Sequence, residues 1–327
     1  MPPFPQPEWD ALYPVGAGRE IAALRAHRRT RRLPRRSADR LLLATLNIAN
    51  LGLQERGAPD YEVLAEIVSW FDVVAVQETN DNLAGIRAVM EHLPATRRML
   101  VSDASGNRER GAFIYDTRKV TLLDKVGRLS IPPSDLRKIK VPGTTEPFRG
   151  FDRGPFMAAF ATRGDFRFLL VNVHLYFGGK TARQVLRRAE ETYALAWWAD
   201  RRHRSQFAYV PDIIPLGDFN LPQMDESDRI FRALTKRGLR LPPRGEEAIS
   251  QVGGTSLGGL SHYDQIALFP GETTELQQLA IFDFDRVVFK NVYDDRGLKD
   301  FLAYTRFHLS DHRPLWAEFT VRGQSPS

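Results

Sequence analysis

Apolar runs in this chain repeatedly meet residues that can hold a cation, a phosphate or a proton. Leu-Leu-Leu-Ala-Thr-Leu runs into Asn47, and Val-Val-Ala-Val-Gln runs into Glu78. Phe-Leu-Leu-Val-Asn-Val leads to His174, and Ile-Ile-Pro-Leu-Gly leads to Asp218-Phe219-Asn220. Two more runs begin with such residues, at His262-Tyr263-Asp264 and at Ser310-Asp311-His312-Arg313-Pro314. Taken singly, each has an ordinary explanation. Asn47 suits a turn, Glu78 a helix N-terminus, His174 the rim of an alternating strand, and Asp218-Phe219-Asn220 an Asx turn. Recurrence at so many strand ends points instead to one shared site of carboxylates, amides and imidazoles. There is no cysteine, so no disulfide, thiolate nucleophile or thiolate metal site exists, and any metal must rest on oxygen and nitrogen.

The elements that must bring these residues together are short. Strands are expected at Leu41–Ile48, Asp72–Gln77, Gly111–Tyr115, Pro155–Ala161, Arg167–His174, Asp212–Leu216, Tyr263–Phe269 and Arg313–Thr320. Helices are expected at Tyr61–Phe71, with Tyr61, Leu64, Ile67, Val68 and Phe71 on one stripe, and at Thr181–Arg202. The strands are too many for a plain doubly wound sheet and the helices too regular for an all-β sandwich. Two packed sheets with helices outside would use both. In antiparallel neighbours one strand ends where the next begins, so the polar ends can share one rim. The Gly-rich piece Val252–Leu260 lacks a P-loop lysine and is expected as a mobile loop.

The 327 residues, 43% hydrophobic and 26% charged, are those of a soluble globular chain. Net charge is +6, yet residues 19–40 alone carry nine arginines against Glu20 and Asp39, so the remainder is close to neutral. That cluster suits either phosphate docking or a solvated, partly helical lead-in, with Ile21, Leu24 and Arg28 at helical spacing. Residues 1–18 are Pro- and Gly-rich and read as an extended tail. No run of about 18 apolar residues is present, so no membrane span is expected. The arginines followed by Leu41-Leu42-Leu43 superficially match a twin-arginine signal, but Asn47 and Asn50 interrupt the run, and a cytoplasmic, monomeric protein is expected.

The strings LATLNIANL, VVAVQETN, LLVNVHL, PLGDFNLP, HYDQIAL and LSDHRPLWAEF resemble, in order, the motif set of the endonuclease/exonuclease/phosphatase superfamily. The resemblance runs from about Leu41 to Thr320. It implies an α+β fold, a four-layer α/β/β/α sandwich of two packed, mostly antiparallel sheets. It also implies a catalytic domain at 41–321, with a Pro/Arg-rich N-terminal extension at 1–40 and a tail at 322–327. Asn107–Tyr115 and Arg153-Gly154-Pro155 are similar to the pancreatic-type nucleases, in which a Glu supports the strand histidine and an Arg binds phosphate. GDFNLP departs from the GDLN of 5-phosphatases, and the missing cysteines depart from disulfide-bonded secreted nucleases.

The resemblance implies hydrolysis of phosphodiesters with Mg²⁺ or Mn²⁺ on Glu78, Asn47 and Asp311, which are hard oxygen ligands. Asp218 would orient or deprotonate the attacking water, with Asn220 on the phosphate or that water. His312 held by Asp264, and His174 steadied by Glu109, would bind phosphate or move a proton, and Arg153 would add donors to the non-bridging oxygens. The expected substrate is nucleic acid, cut by an endo- or exonuclease. A phosphomonoesterase or lipid-headgroup phosphodiesterase would use the same core, and a non-catalytic nucleic-acid-binding protein would need only the arginines.

If this assignment holds, the histidines divide sharply. His174→Ala and His312→Ala should each lower the rate about a hundredfold or more, the scale of acid–base and phosphate-binding groups. His27, His92 and His203 lie outside every motif, and their alanine variants should retain parental turnover in the same assay. A loss at His203 equal to that at His312 would place the site elsewhere.

Overall fold

The first strand, β1 (Arg40–Leu51), is buried on both of its faces. Leu42, Ala44 and Leu46 enter one core, and Leu41 and Leu43 enter another. A strand covered on both sides needs no polar alternation, hence the near-continuous apolar run. The computed structural model describes residues 2–141, 148–243 and 253–321; the tail at 322–327 and Val252 lie outside the described residues.

One sheet holds β1, β2 (Val73–Asn80), β3 (Arg97–Val101), β4 (Glu109–Asp116), β10 (Leu276–Ile281) and β11 (Leu315–Thr320), in the order β10-β11-β1-β2-β4-β3. The other holds β5 (Val120–Arg128), β6 (Phe156–Thr162), β7 (Arg167–His174), β8 (Asp212–Asp218) and β9 (Asp264–Ile266), in that order. Helices α1 (Ala17–Thr30), α2 (Ala58–Ser69), α3 (Ala84–Glu91) and α7 (Lys290–His308) cover the outer face of the first sheet. The short α4 (Pro133–Leu136), α5 (Ala182–His203) and α6 (Arg229–Thr235) lie outside the second. Between the sheets runs a third core that includes Leu41, Val73, Phe113, Phe160, Leu170, Ile214 and Phe319. The fold is a four-layer α/β/β/α sandwich.

Pairing is antiparallel except at β1–β2 and β7–β8, which are parallel. A parallel pair needs a crossover, and α2 and α5 supply the two. Each crossover makes both strands of its pair finish at the same end, and β9 and β11 start there. The common rim expected from antiparallel neighbours alone is therefore built largely by two parallel units.

The strands that sequence patterning missed are β3, β5 and β10. All three are sheet edges. Their sequences, RRMLV, VTLLDKVGR and LQQLAI, mix polar with apolar because one side of an edge strand meets solvent. The strand expected at Tyr263–Phe269 forms only over Asp264–Ile266, again at an edge.

The N-terminal segment is not an extended tail. Trp9, Tyr13, Val15, Ala17 and Ile21 pack on the core under the first sheet, and Leu24 is part of it. Glu20 is buried and accepts the Phe289 N–H at 2.8 Å. Most of the arginines have partners within the fold. Arg25 pairs with Glu66, Arg31 with Asp283, Arg40 with Glu318, and Arg28 donates to the Pro34 carbonyl and lies over Trp70. Arg36 bridges two buried carboxylates, Asp72 at 2.5 Å and Asp116. This is the packed lead-in, with Arg19, Arg25, Arg29, Arg32 and Arg35 on its exposed side.

Arg36 therefore makes a test of stability. Arg36→Ala strands part of the charge on Asp72 and Asp116, with Arg118 and Lys119 still nearby. The variant should lose about 2 kcal/mol or more in denaturant unfolding, as expected for a buried ion pair deprived of one partner. Arg29→Ala, on the exposed face of α1, should unfold like the parent.

Candidate active site

Side chains on the inner faces of the sheets change in character along the strands. On β1 they run Leu41, Leu43, Thr45, Asn47; on β2, Val73, Ala75, Gln77; on β7, Leu170, Asn172, His174; on β8, Ile214, Leu216, Asp218. The inter-sheet space thus grades from apolar, through neutral amides, to charged groups at the rim. The amide layer is fully connected. Gln77 donates to Asn172 Oδ1 at 2.7 Å and to Thr45 Oγ1 at 3.1 Å, and Asn172 donates across the sheets to the Val76 and Ala112 carbonyls at 3.0 and 2.9 Å. A buried amide is tolerated only when so satisfied.

Glu78 breaks the alternation. Following the inward Gln77 it should face the helices, as Val74 and Val76 do. A register shift beyond Asn47 and Gln77, with Glu78 at φ 59°, turns it back toward Asn47. That left-handed conformation is costly for a non-glycine residue and is held by its partners. Glu78 accepts the Asn47 amide at 3.0 Å and the Asn50 N–H at 2.8 Å. The same Asn47 amide reaches across the sheets to Asp218 Oδ2 at 3.2 Å.

On the second sheet His174 and Asp218 are register neighbours, with His174 Nε2 3.6 Å from Asp218 Oδ2. Just before Asp218, Gly217 lets the two strands approach closely: a Cβ there would sit 2.1 Å from the Val173 carbonyl oxygen. Asp218 Oδ1 accepts the Asn220 N–H at 2.8 Å. Behind His174, Glu109 Oε2 lies 2.9 Å from Nδ1 as an ion-pair contact. Burial pushes the Glu109 carboxyl up, but His174 and Arg153 outweigh it and hold it down at about 2.

His312, just ahead of β11, completes the rim. Its Nδ1 is 2.7 Å from Asp264 Oδ2 and its Nε2 3.9 Å from Asp218 Oδ2. Burial pushes the imidazole down, yet Asp264, then Asp311 and Asp218, carry it well above the usual histidine range. Ser310 pins the strand start by donating to the Asn47 carbonyl at 2.7 Å. The described part of the Gly-rich piece is no free loop. Leu257 N–H donates to the Asp311 carbonyl and Arg313 N–H to the Thr255 carbonyl, both at 2.7 Å, and Thr255 Oγ1 accepts the Asp264 N–H at 3.0 Å.

The structure brings Asn47, Glu78, Asp218, His174, Glu109, His312, Asp264 and Asp311 together at this rim. Two residues are differently engaged. Arg153 spends Nε and one terminal nitrogen on the His174 and Leu175 carbonyls, at 2.8 and 2.9 Å, leaving Nη1 3.6 Å from Glu109. It holds the end of β7 first of all. Asn220 donates its amide to the Leu175 carbonyl at 2.8 Å. Thr255 and Asn172 were missed from sequence, and Gln77 and Ser310, though inside motifs, received no role. Period-two spacing back from His174 could have found Asn172.

Among the described residues no group of three or more His, Asp or Glu forms a ready-made metal cage. The donors nonetheless fit a hard divalent ion. Asn47 Oδ1 and Asp311 Oδ1 are buried oxygens that accept no hydrogen bond. Burial raises the Asp311 carboxyl above its ordinary range; His312 opposes this and Glu78 adds to it. Buried acceptors without donors call for a cation, and Mg²⁺ uses few carboxylates and keeps several waters.

No protein-family model and no curated protein matches this chain in sequence. Solved structures do resemble it. An endonuclease/exonuclease/phosphatase family protein from Bacteroides thetaiotaomicron is 18% identical, with a TM-score of 0.52 over 88% of this chain and 96% of that one. A mannosyl-6-phosphatase from the same organism is 17% identical, with a TM-score of 0.50 over 85% and 98%. Truncated Caenorhabditis elegans TDP2 is 15% identical, with a TM-score of 0.53 over 86% and 98%. At such identities the likeness is one of fold: the chain has the endonuclease/exonuclease/phosphatase fold.

Glu109 gives the site a pH signature. Its carboxyl is held at about 2 in the folded chain, below the roughly 4.3 of an unperturbed Glu. A depressed acid contributes stability that is fully present above the unfolded value and is lost as pH falls through the folded one. The stability gap between the parent and Glu109→Gln should narrow as pH falls from about 5 toward 2, measured by urea unfolding across that range. The same variant should turn over about 10- to 100-fold more slowly, because His174 loses its orienting partner.

Proposed function

We propose that this chain is a divalent-metal-dependent phosphoesterase that hydrolyses phosphodiester bonds in nucleic acid. The observation that carries this reading is the meeting, around Asp218, of two imidazole–carboxylate pairs with the oxygens of Asn47, Glu78 and Asp311. A Mg²⁺ or Mn²⁺ ion held by Glu78, Asn47 and Asp311 would supply positive charge to the phosphate oxygens.

The remaining work falls to the chain's own groups. His312, kept protonated by Asp264, donates a hydrogen bond to a phosphate oxygen and counters its charge. Asp218 orients the attacking water and accepts its proton, and its own position is set by the Asn47 amide and the Asn220 N–H. His174, oriented by Glu109 and facing Asp218, gives a proton to the leaving oxygen as the P–O bond breaks. Arg153 fixes the His174 carbonyl, so the imidazole rests on a braced strand end.

A nucleic-acid phosphodiester is favoured by the Glu109–His174 pair, the feature that most resembles pancreatic-type nucleases. A phosphomonoesterase is the second reading, supported by the fold likeness to a mannosyl-6-phosphatase. A purely non-catalytic nucleic-acid binder has little left to stand on, since Arg25, Arg31, Arg36 and Arg40 are paired within the fold.

The test is a substrate panel of plasmid DNA, RNA, sphingomyelin, inositol phosphates and sugar phosphates, with Mg²⁺, with Mn²⁺ and with EDTA. Nucleic-acid cleavage that stops in EDTA and returns with either ion is expected, with Glu78→Ala folded but inactive. Full turnover in chelator would refute the metal requirement, and turnover confined to monoesters would move the assignment to a phosphatase.

A further inference from the structure

Residues 2–13 lie outside every motif of the site, yet they touch both sides of the proposed metal position. On one side Phe4 pairs its backbone N–H and carbonyl with the Gln54 side chain, each at 2.9 Å, and the Pro2 carbonyl accepts from Asn50 Nδ2 at 3.4 Å. Gln54 closes the turn that begins at Asn50, its N–H donating to the Asn50 carbonyl at 2.9 Å. Asn50, held at φ 51°, donates its own N–H to Glu78 Oε2 at 2.8 Å.

On the other side Asp10 Oδ1 lies 2.6 Å from His308 Nε2, while His308 Nδ1 lies 2.9 Å from Asp60. His308 ends α7, and the chain runs from it directly into Ser310 and Asp311. Trp9 stacks on Tyr304 at 5.7 Å with Arg296 4.1 Å from its ring centroid, and Tyr304 donates its hydroxyl to the Tyr13 carbonyl. Buried Arg56 ties the two sides together, donating to the His308, Ala49 and Leu309 carbonyls at 3.1, 2.8 and 2.9 Å.

We infer that residues 2–13 form a strap that positions Glu78 and Asp311 and so sets the affinity of the divalent-ion site. This rests on the metal reading proposed above. Mg²⁺ tolerates little deviation from its preferred geometry, and a site with two carboxylates and one amide depends on their being held in place. Any freedom left in the Asn50 turn or the α7 terminus must be frozen when the ion binds, which weakens binding. Coupling is reciprocal, so a bound ion should in turn tighten the strap. Asp10 and Gln54 act through other residues, as positioning residues, and neither touches substrate.

The experiment is calorimetric titration of Mn²⁺ into the full chain, comparing the parent with Asp10→Ala and Gln54→Ala, beside melting curves and the metal dependence of turnover. Each variant should bind Mn²⁺ about tenfold more weakly, the usual scale for outer positioning groups, with turnover at saturating Mn²⁺ near parental. In the parent, Mn²⁺ should slow amide exchange at Phe4. Lowered melting temperatures with unchanged Mn²⁺ affinity would make the strap merely structural and overturn the inference. A parent chain that binds no Mn²⁺ would instead refute the metal reading, and the strap's role with it.

Discussion

The Asn47 side chain hydrogen-bonds one carboxylate from each sheet, Glu78 and Asp218, and the rest of the site depends on that bridge. A single amide nitrogen can satisfy both only if the two sheets keep a fixed spacing at their rim. The spacing is set further in, where the phenylalanines of the inter-sheet core fill the gap and the Gln77–Asn172 pair crosses it. With its nitrogen so committed, Asn47 is left with a buried oxygen that accepts nothing from the chain. An oxygen in that position suits the hard divalent ion proposed above.

Charge burial is managed differently elsewhere in the molecule. Asp72, Asp116 and Asp283 are also removed from solvent, but arginines from the N-terminal segment reach in to pair with them. Burial would raise the Asp116 carboxyl, and Arg118 and Arg36 hold it well below its usual range instead. At the rim the carboxylates face histidines and the Asn47 amide, with Arg153 beside Glu109 alone. The contrast separates the acids paired with N-terminal arginines from those of the candidate site. It also changes how the net charge of +6 is understood. Much of the arginine excess is bound up in holding α1 and its lead-out against the first sheet, so the basic balance alone says little about a polyanionic partner.

Left-handed backbone occurs at the rim and also elsewhere, at Arg32, Leu83, Arg108 and Phe289. Glu78, Asn50 and Asn220 adopt left-handed backbone conformations at the rim. Asn50 and Glu78 bend β1 and β2 near their ends, Asn220 follows the end of β8, and each is held by a hydrogen bond to a neighbour in the site. The cost of such conformations is borne by the packed sandwich around them.

The residue types at strand ends were legible from sequence because buried strands are short and apolar, and a carboxylate or imidazole closing one stands out. The doubly covered strands β1, β2, β7 and β8 were legible for the same reason. Edge strands β3, β5 and β10 were not, since half of each faces water and carries no continuous apolar signal. Nor could spacing say that Glu78 turns inward, that Arg153 is occupied by the His174 and Leu175 carbonyls, or that the N-terminal arginines are paired within the fold. Those depend on contacts between residues far apart in the chain, such as Arg36 with Asp116 or Asp10 with His308. Composition and periodicity report what a residue can do and which face it prefers. Its partner across the sandwich is chosen only when the sheets pack, and that choice decided which of these charges serve the site and which hold the fold.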